Sequence, residues 1–210
     1  MRVSIDSTGI TLADRIHEVE LLWRARFLDE AMDCIEDVLL DAGNVGRLLN
    51  LKGLVLDASG RKEEALALYR QAADADRTNA VYAGNIGAQL AMMGRRTEAL
   101  AHLRRALSMN PNLEYIYEFL AGLLRQDGDE EGAQRELHRA LDLALKAVDS
   151  SPLSHEAWSQ VARLRWGLGQ YDQAEAAEKF VAELSQNEYY GGDRGAIIAS
   201  PIGGRAWRNE

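Results

Sequence analysis

An all-α fold of stacked helical hairpins is what this sequence predicts, and three observations lead there. Residues recur at a step of 34: Gly60, Gly94 and Gly128, then Ala65, Ala99 and Ala133, then Tyr69, Leu103 and Leu137, then Ala72, Ala106 and Ala140. A fixed period of this length is the signature of a repeat architecture. The 210 residues hold only three prolines, Pro111, Pro152 and Pro201, and few segments alternate in polarity, so helix meets few interruptions and strand finds little support. Apolar residues make up 47% of the chain, enough for a real core at this length.

Each repeat is expected to be one pair of helices. The frame gives units at 12–45, 46–79, 80–113, 114–154 and 155–188, between an extension at 1–11 and a tail at 189–210. Ala31 and Ala174 complete a column of small residues, placed where the two helices of a hairpin cross and a larger side chain would push the backbones apart. The glycine after each first helix marks a position of positive φ, which costs a residue with a β-carbon more. The fourth unit is seven residues longer than the others. Seven is close to two helical turns, so the surplus, from Leu141 to Pro152, is expected to lengthen a second helix without rotating its buried face.

The end units are atypical. The first carries Arg15, Glu18 and Arg26, and the fifth Arg165 and Glu178, at columns that are apolar or small in inner units save for Lys52 in the second. Such units are expected to face solvent on one side and to accept polar residues there.

The columns resemble the tetratricopeptide repeat family. In the second unit they read Leu49, Lys52, Gly53, Leu56, Gly60, Ala65, Tyr69 and Ala72; in the third, Ala83, Ile86, Gly87, Leu90, Gly94, Ala99, Leu103, Ala106 and Pro111. In the fourth they read Tyr117, Leu120, Ala121, Leu124, Gly128, Ala133, Leu137 and Ala140, and in the fifth Trp158, Val161, Ala162, Gly169 and Ala174. The resemblance covers 12–188 and implies a right-handed α-solenoid of about five hairpins whose first helices line a concave groove. It places Trp23, Arg24, Arg47, Asn50, Leu54, Asp57, Met92, Tyr115, Glu118, Arg125, Arg163 and Trp166 toward that groove. Trp158 falls on a packing column. Family members that grip a C-terminal carboxylate carry a clamp of Lys, Asn and Arg at set groove positions. Asn50 and Asn85 fit two of these, but Leu54, Tyr115 and Phe119 occupy the others, so capture of a chaperone tail is not expected.

Charge and chemistry narrow the function. A formal net charge of -9 argues against neutralising phosphates, which basic, clustered surfaces do, so no nucleic-acid partner is expected. The pairs Arg95-Arg96 and Arg104-Arg105 read as solvated helix faces. His17, His102, His138 and His155 show no metal-ligand spacing, and Cys34 has no companion for a metal site. Gly191-Gly192 and Gly203-Gly204 lack the Lys and Ser or Thr of a phosphate loop. Glu63-Glu64 and Glu130-Glu131 open second helices, where negative charge suits the N-terminus. The chain is thus expected to be no enzyme and to hold no cofactor or metal.

A lone cysteine, Cys34, forms no internal disulfide and is expected to pack as a small hydrophobe in a reducing compartment. No apolar run has signal-peptide or membrane-spanning length, so a soluble, cytoplasmic protein with no membrane partner is expected. The tail breaks helical periodicity with its glycines and Pro201. Ile197, Ile198, Pro201 and Trp207 nevertheless make it apolar, and it is expected to dock, in cis on a helical surface or in trans as a homo-oligomer contact. The functional expectation is an adaptor or scaffold whose groove binds a protein or peptide. Its alternative is a structural protein that self-assembles through the tail or the end repeats.

Overall fold

The computed structural model describes residues 11–42, 46–189, 197–199 and 206–208, with side-chain surroundings for 11–39 and 46–185. They fall into two compact units, Met1–Pro111 and Asn112–Glu210. The first holds three helical hairpins: α1 (Leu12–Arg24) with α2 (Leu28–Ala42), α3 (Gly46–Ala58) with α4 (Lys62–Ala75), and α5 (Ala80–Met92) with α6 (Arg96–Met109). The second holds α7 (Glu114–Gln126) with α8 (Glu130–Ser150), then α9 (His155–Gly167) with α10 (Tyr171–Tyr189), and a strand pair, β1 (Ile197–Ala199) and β2 (Ala206–Arg208). None of the helices among the described residues is long and apolar enough to cross a membrane.

The turn inside each hairpin repeats one geometry. Gly60, Gly94, Gly128 and Gly169 sit at φ of 80°, 74°, 78° and 73°. The residue after each donates its backbone N–H back to a carbonyl of the preceding helix: Arg61 to Leu56, Arg95 to Leu90, Asp129 to Leu124 and Gln170 to Arg165. This is the hydrogen-bonded C-terminal motif in which a left-handed residue satisfies orphan carbonyls. In the first hairpin the same place belongs to Arg26, at φ 67°, with Phe27 donating to the Leu22 carbonyl. A left-handed residue with a β-carbon costs about 1 kcal/mol relative to glycine. Arg26→Gly is therefore expected to stabilise the protein by about 1 kcal/mol, read as a rise in denaturation midpoint.

Side chains cap the starts of α1, α5, α8 and α9, whereas α4, α6 and α7 start without such a bond. Thr11 and Asp14 form a reciprocal capping box at α1, with Asp14 Oδ2 accepting from the Thr11 backbone N–H at 2.9 Å. Asn79 accepts from the N–H of Val81 at α5, Asp129 from Gly132 at α8 and Ser154 from Ala157 at α9. Each bond satisfies a donor that the helix itself leaves unpaired.

Packing follows the small-residue columns. In the first unit Ile16, Val19, Ala31, Ile35, Val38, Leu48, Leu51 and Val55 form one buried cluster, and Leu49, Ala72 and Tyr82 another. Cys34 lies half-buried against the former; burial, and next the Glu18 carboxylate, push its thiol up. In the second unit Trp158, Phe180, Leu184, Leu137, Leu164 and Val148 lie in one cluster. Helix α8 runs 21 residues against 14 for α4, and its buried positions Ala133, Leu137, Ala140, Leu141, Ala144 and Val148 keep one face along its length. The extra turns prolong the helix and leave the apolar stripe in phase.

Arg165 departs from the expectation of a solvent-facing end unit. It is 7% exposed, with Nη1 donating to the Gln173 carbonyl at 3.3 Å. Burial lowers its pKa. Its guanidinium reaches the first turn of α10, so a side chain that looks like a surface residue in sequence is buried within the hairpin.

Candidate partner-binding face

The residues assigned to the groove lie on first helices, and each unit is taken by itself. In the first unit Arg24, Arg47 and Met92 are exposed, Trp23, Leu54 and Asp57 half-buried, and Asn50 buried. Trp23 and Leu54 pack against the α1–α3 cluster, so part of each side chain belongs to the core. Arg47 reaches back to α1 and donates from Nε and Nη2 to Glu20 Oε1, at 3.1 and 2.6 Å. Asn50 accepts from Asn85 Nδ2 at 2.8 Å, tying α3 to α5. The two asparagines that fit the clamp pattern therefore bond to one another. Met92 is 44% exposed.

The second unit shows a denser version of this bonding. Glu118 on α7 accepts from Gln160 Nε2 at 3.1 Å and from Arg163 Nη2 at 3.0 Å, both on α9, and also pairs with Arg163 Nη1. Arg163 Nη2 donates to Gln160 Oε1 at 2.6 Å as well. Arg125 divides its guanidinium between Glu130 and the carbonyl of Gly167, 2.7 Å from Nη2, which supplies a donor to the last turn of α9. These polar groups join successive first helices. As exposed pairs they add little stability, but they fix side chains that would otherwise be mobile. Tyr115 is half-buried, and desolvation, with Glu114 nearby, raises its pKa.

Trp166 is a large aromatic that this network leaves uncovered, at 40% exposed. Its Nε1 donates to Glu178 at 2.7 Å, and its ring leans on Tyr171 with centroids 5.3 Å apart. A cleft of about 400 Å³ beside it is lined by Ser159, Ala162, Arg163, Glu178 and Val181. Sequence reasoning assigned Trp166 and Arg163 to this face but not Glu178, which comes from the second helix of the hairpin. Among the described residues no group of His, Cys, Asp and Glu has the arrangement of a metal site.

Of the tail residues assigned to docking, Ile197 and Ile198 lie in β1 and Trp207 in β2. The strands pair antiparallel with Ile198 opposite Trp207 and Ile197 opposite Arg208. Pro201 and the extension at 1–10 fall outside the described residues.

Comparison with known proteins places this architecture. A tetratricopeptide repeat family model matches residues 18–80. The TPR repeat-containing thioredoxin TTL4 of Arabidopsis thaliana is 35% identical over 85 residues, 40% of this chain but only 12% of that protein. Among solved structures, the Cut9–Hcn1 hetero-tetramer of the APC/C aligns over 84% of this chain and 34% of its own, with TM-score 0.64 and 16% identity. Pseudomonas aeruginosa pilF aligns over 82% of this chain and 75% of its own, with TM-score 0.57 and 18% identity. A MamA crystal structure aligns over 82% of this chain and 96% of its own, with TM-score 0.51 and 18% identity. At these identities the structural likenesses speak to fold. Repeat arrays of this kind present extended surfaces for binding other proteins. The family model over 18–80, the related sequence and the shared architecture agree on one fold: the chain is an α-solenoid of the tetratricopeptide repeat type.

Proposed function

We propose that this protein is a non-enzymatic cytoplasmic adaptor whose first-helix faces bind a segment of a partner polypeptide. The reading rests mainly on Trp166, a large aromatic beside a cleft, held in one orientation by Glu178 and Tyr171. An aromatic anchor fixed before binding loses little conformational freedom on complex formation, and Trp and Arg dominate interface hot spots. Arg163, already ordered by Glu118 and Gln160, stands beside it as a planar donor for carbonyls or carboxylates. In the first unit Trp23 and Met92 offer comparable apolar surface. The partner is a peptide taken up as an extended strand or as a helix laid in a groove.

The expected result is that Trp166→Ala weakens binding to the natural partner by about 2 kcal/mol or more, roughly thirtyfold in Kd. Its circular dichroism should match the parent, because the side chain is partly exposed and lies at the rim of the core. Calorimetry or fluorescence titration of the purified pair checks it. Unchanged affinity in both Trp166→Ala and Trp23→Ala moves the contact off the first helices. Light scattering in which particle size grows with concentration, partner absent, favours self-assembly instead.

A further inference from the structure

A second cleft lies entirely within the first unit, away from the first-helix residues discussed above. It has a volume of about 380 Å³ and forms between α4, the turn that follows it, α5 and α6. Arg70, Asp74, Arg77, His102 and Arg105 stand on its walls, and Ala73, Ala83 and Ile86 give it apolar surface. Three guanidiniums thus stand around the cleft with one carboxylate. That carboxylate, Asp74, is 3.9 Å from Arg77, while Arg70 and Arg105 form no salt bridge among the described residues. His102 is half-buried, and its Nδ1 is buried without a hydrogen-bond partner among the described residues. Unsatisfied buried polar atoms are uncommon in native folds and call for an explanation.

We propose that this cleft binds an acidic peptide segment, with its carboxylates on Arg70 and Arg105 and an aliphatic side chain against Ala73, Ala83 and Ile86. Chemistry selects this ligand class from among the anions. The guanidinium fork matches a carboxylate with two parallel hydrogen bonds. The apolar surface offers nothing to inorganic phosphate and much to a leucine or valine beside the acid. A chain of net charge -9 disfavours a dense polyanion such as nucleic acid, whose binding depends on many neutralised phosphates.

His102 adds a pH signature to the same geometry. Desolvation lowers its pKa first, followed by the charges of Arg105 and Arg70, with Glu98 acting in the opposite sense; Asp74 and Arg77 are the other charged groups around the cleft. A bound carboxylate offsets the two arginines and favours the charged imidazole. Binding therefore takes up a proton and strengthens as pH falls through the range where His102 titrates.

The site stands apart from the first-helix face, so the two readings fail separately. The test is a fluorescence titration with a labelled peptide of alternating glutamate and leucine, using its glutamine counterpart and inorganic phosphate as competitors. Saturable binding is expected, tighter at about pH 5.5 than at about pH 8, with no competition from the glutamine peptide. Arg70→Gln and Arg105→Gln, both at exposed side chains, should each weaken it about tenfold. Trp23→Ala and Trp166→Ala should leave it unchanged. Absence of saturable binding overturns the proposal, as do arginine variants that bind like the parent. Competition by phosphate as effective as by unlabelled peptide reduces the site to a simple anion pocket and overturns the peptide assignment. Loss in Trp166→Ala with retention in Arg70→Gln places the peptide on the first-helix face instead.

Discussion

Trp158→Ala is expected to destabilise the protein by about 3 to 5 kcal/mol, the largest effect of any single truncation considered. Trp158 is 0% exposed and stands in the cluster that joins α7, α8, α9 and α10. Its ring meets Phe180 edge-on, with centroids 4.9 Å apart and planes at 62°, an arrangement that adds to area burial because ring edges and faces carry opposite partial charge. Its indole N–H donates to the Pro152 carbonyl at 2.7 Å, the link between the end of α8 and the start of α9. Alanine removes the transfer energy, leaves a cavity that close packing cannot fully collapse, and strips a partner from Pro152. Thermal melting should show a fall of roughly 6 to 20 °C. Trp158→Phe keeps much of the volume and loses the hydrogen bond, so it should fall between parent and alanine. A Trp158→Ala variant that melts with the parent would place this side chain outside the core.

The sequence showed this residue's role better than it showed the roles of its polar neighbours. Trp158 falls on a packing column of the repeat pattern that the resemblance supplies, and it is fully buried. The 34-residue spacing made the hairpin turns legible through Gly60, Gly94 and Gly128, and it flagged Arg26 as an exception, which sits at φ 67°. Local rules sufficed there because each feature involves residues within one turn or one helix.

The polar face was not legible for the opposite reason. Glu118 and Arg163 are 45 positions apart, and Arg125 finds the Gly167 carbonyl 42 positions away. No local pattern announces such pairs. Arg165 shows the same limit: its type argues for solvent, but it is buried and bonds to the Gln173 carbonyl in α10. Arg105 is exposed, as a solvated helix face requires, and what the sequence did not show is the cleft on whose wall it stands. The tail gave no strand signal either, since β1 and β2 are three residues each, too short for alternation to stand out.

Gly53→Ala is expected to cost about 1 to 3 kcal/mol, even though alanine is the better helix former by about 1 kcal/mol. The reason is the crossing of α3 and α4. A β-carbon at Gly53 would lie 2.5 Å from Cε1 and 2.8 Å from Cδ1 of Tyr69, closer than carbon atoms approach without repulsion. Tyr69 is 2% exposed, so its ring has no free space to enter and the helices themselves must separate. Gly122 provides the internal control. It also lies in a helix interior, within α7, but a β-carbon there meets nothing within 4 Å. Gly122→Ala should therefore stabilise by about 0.5 to 1 kcal/mol through propensity alone. Combining Gly53→Ala with Tyr69→Leu should cost less than the sum of the single changes, because the smaller side chain relieves the clash. Denaturant titrations of the variants against the parent decide it. Equal effects at the two glycines would remove steric crowding as the cause, and strict additivity with Tyr69→Leu would place the strain elsewhere than on that ring.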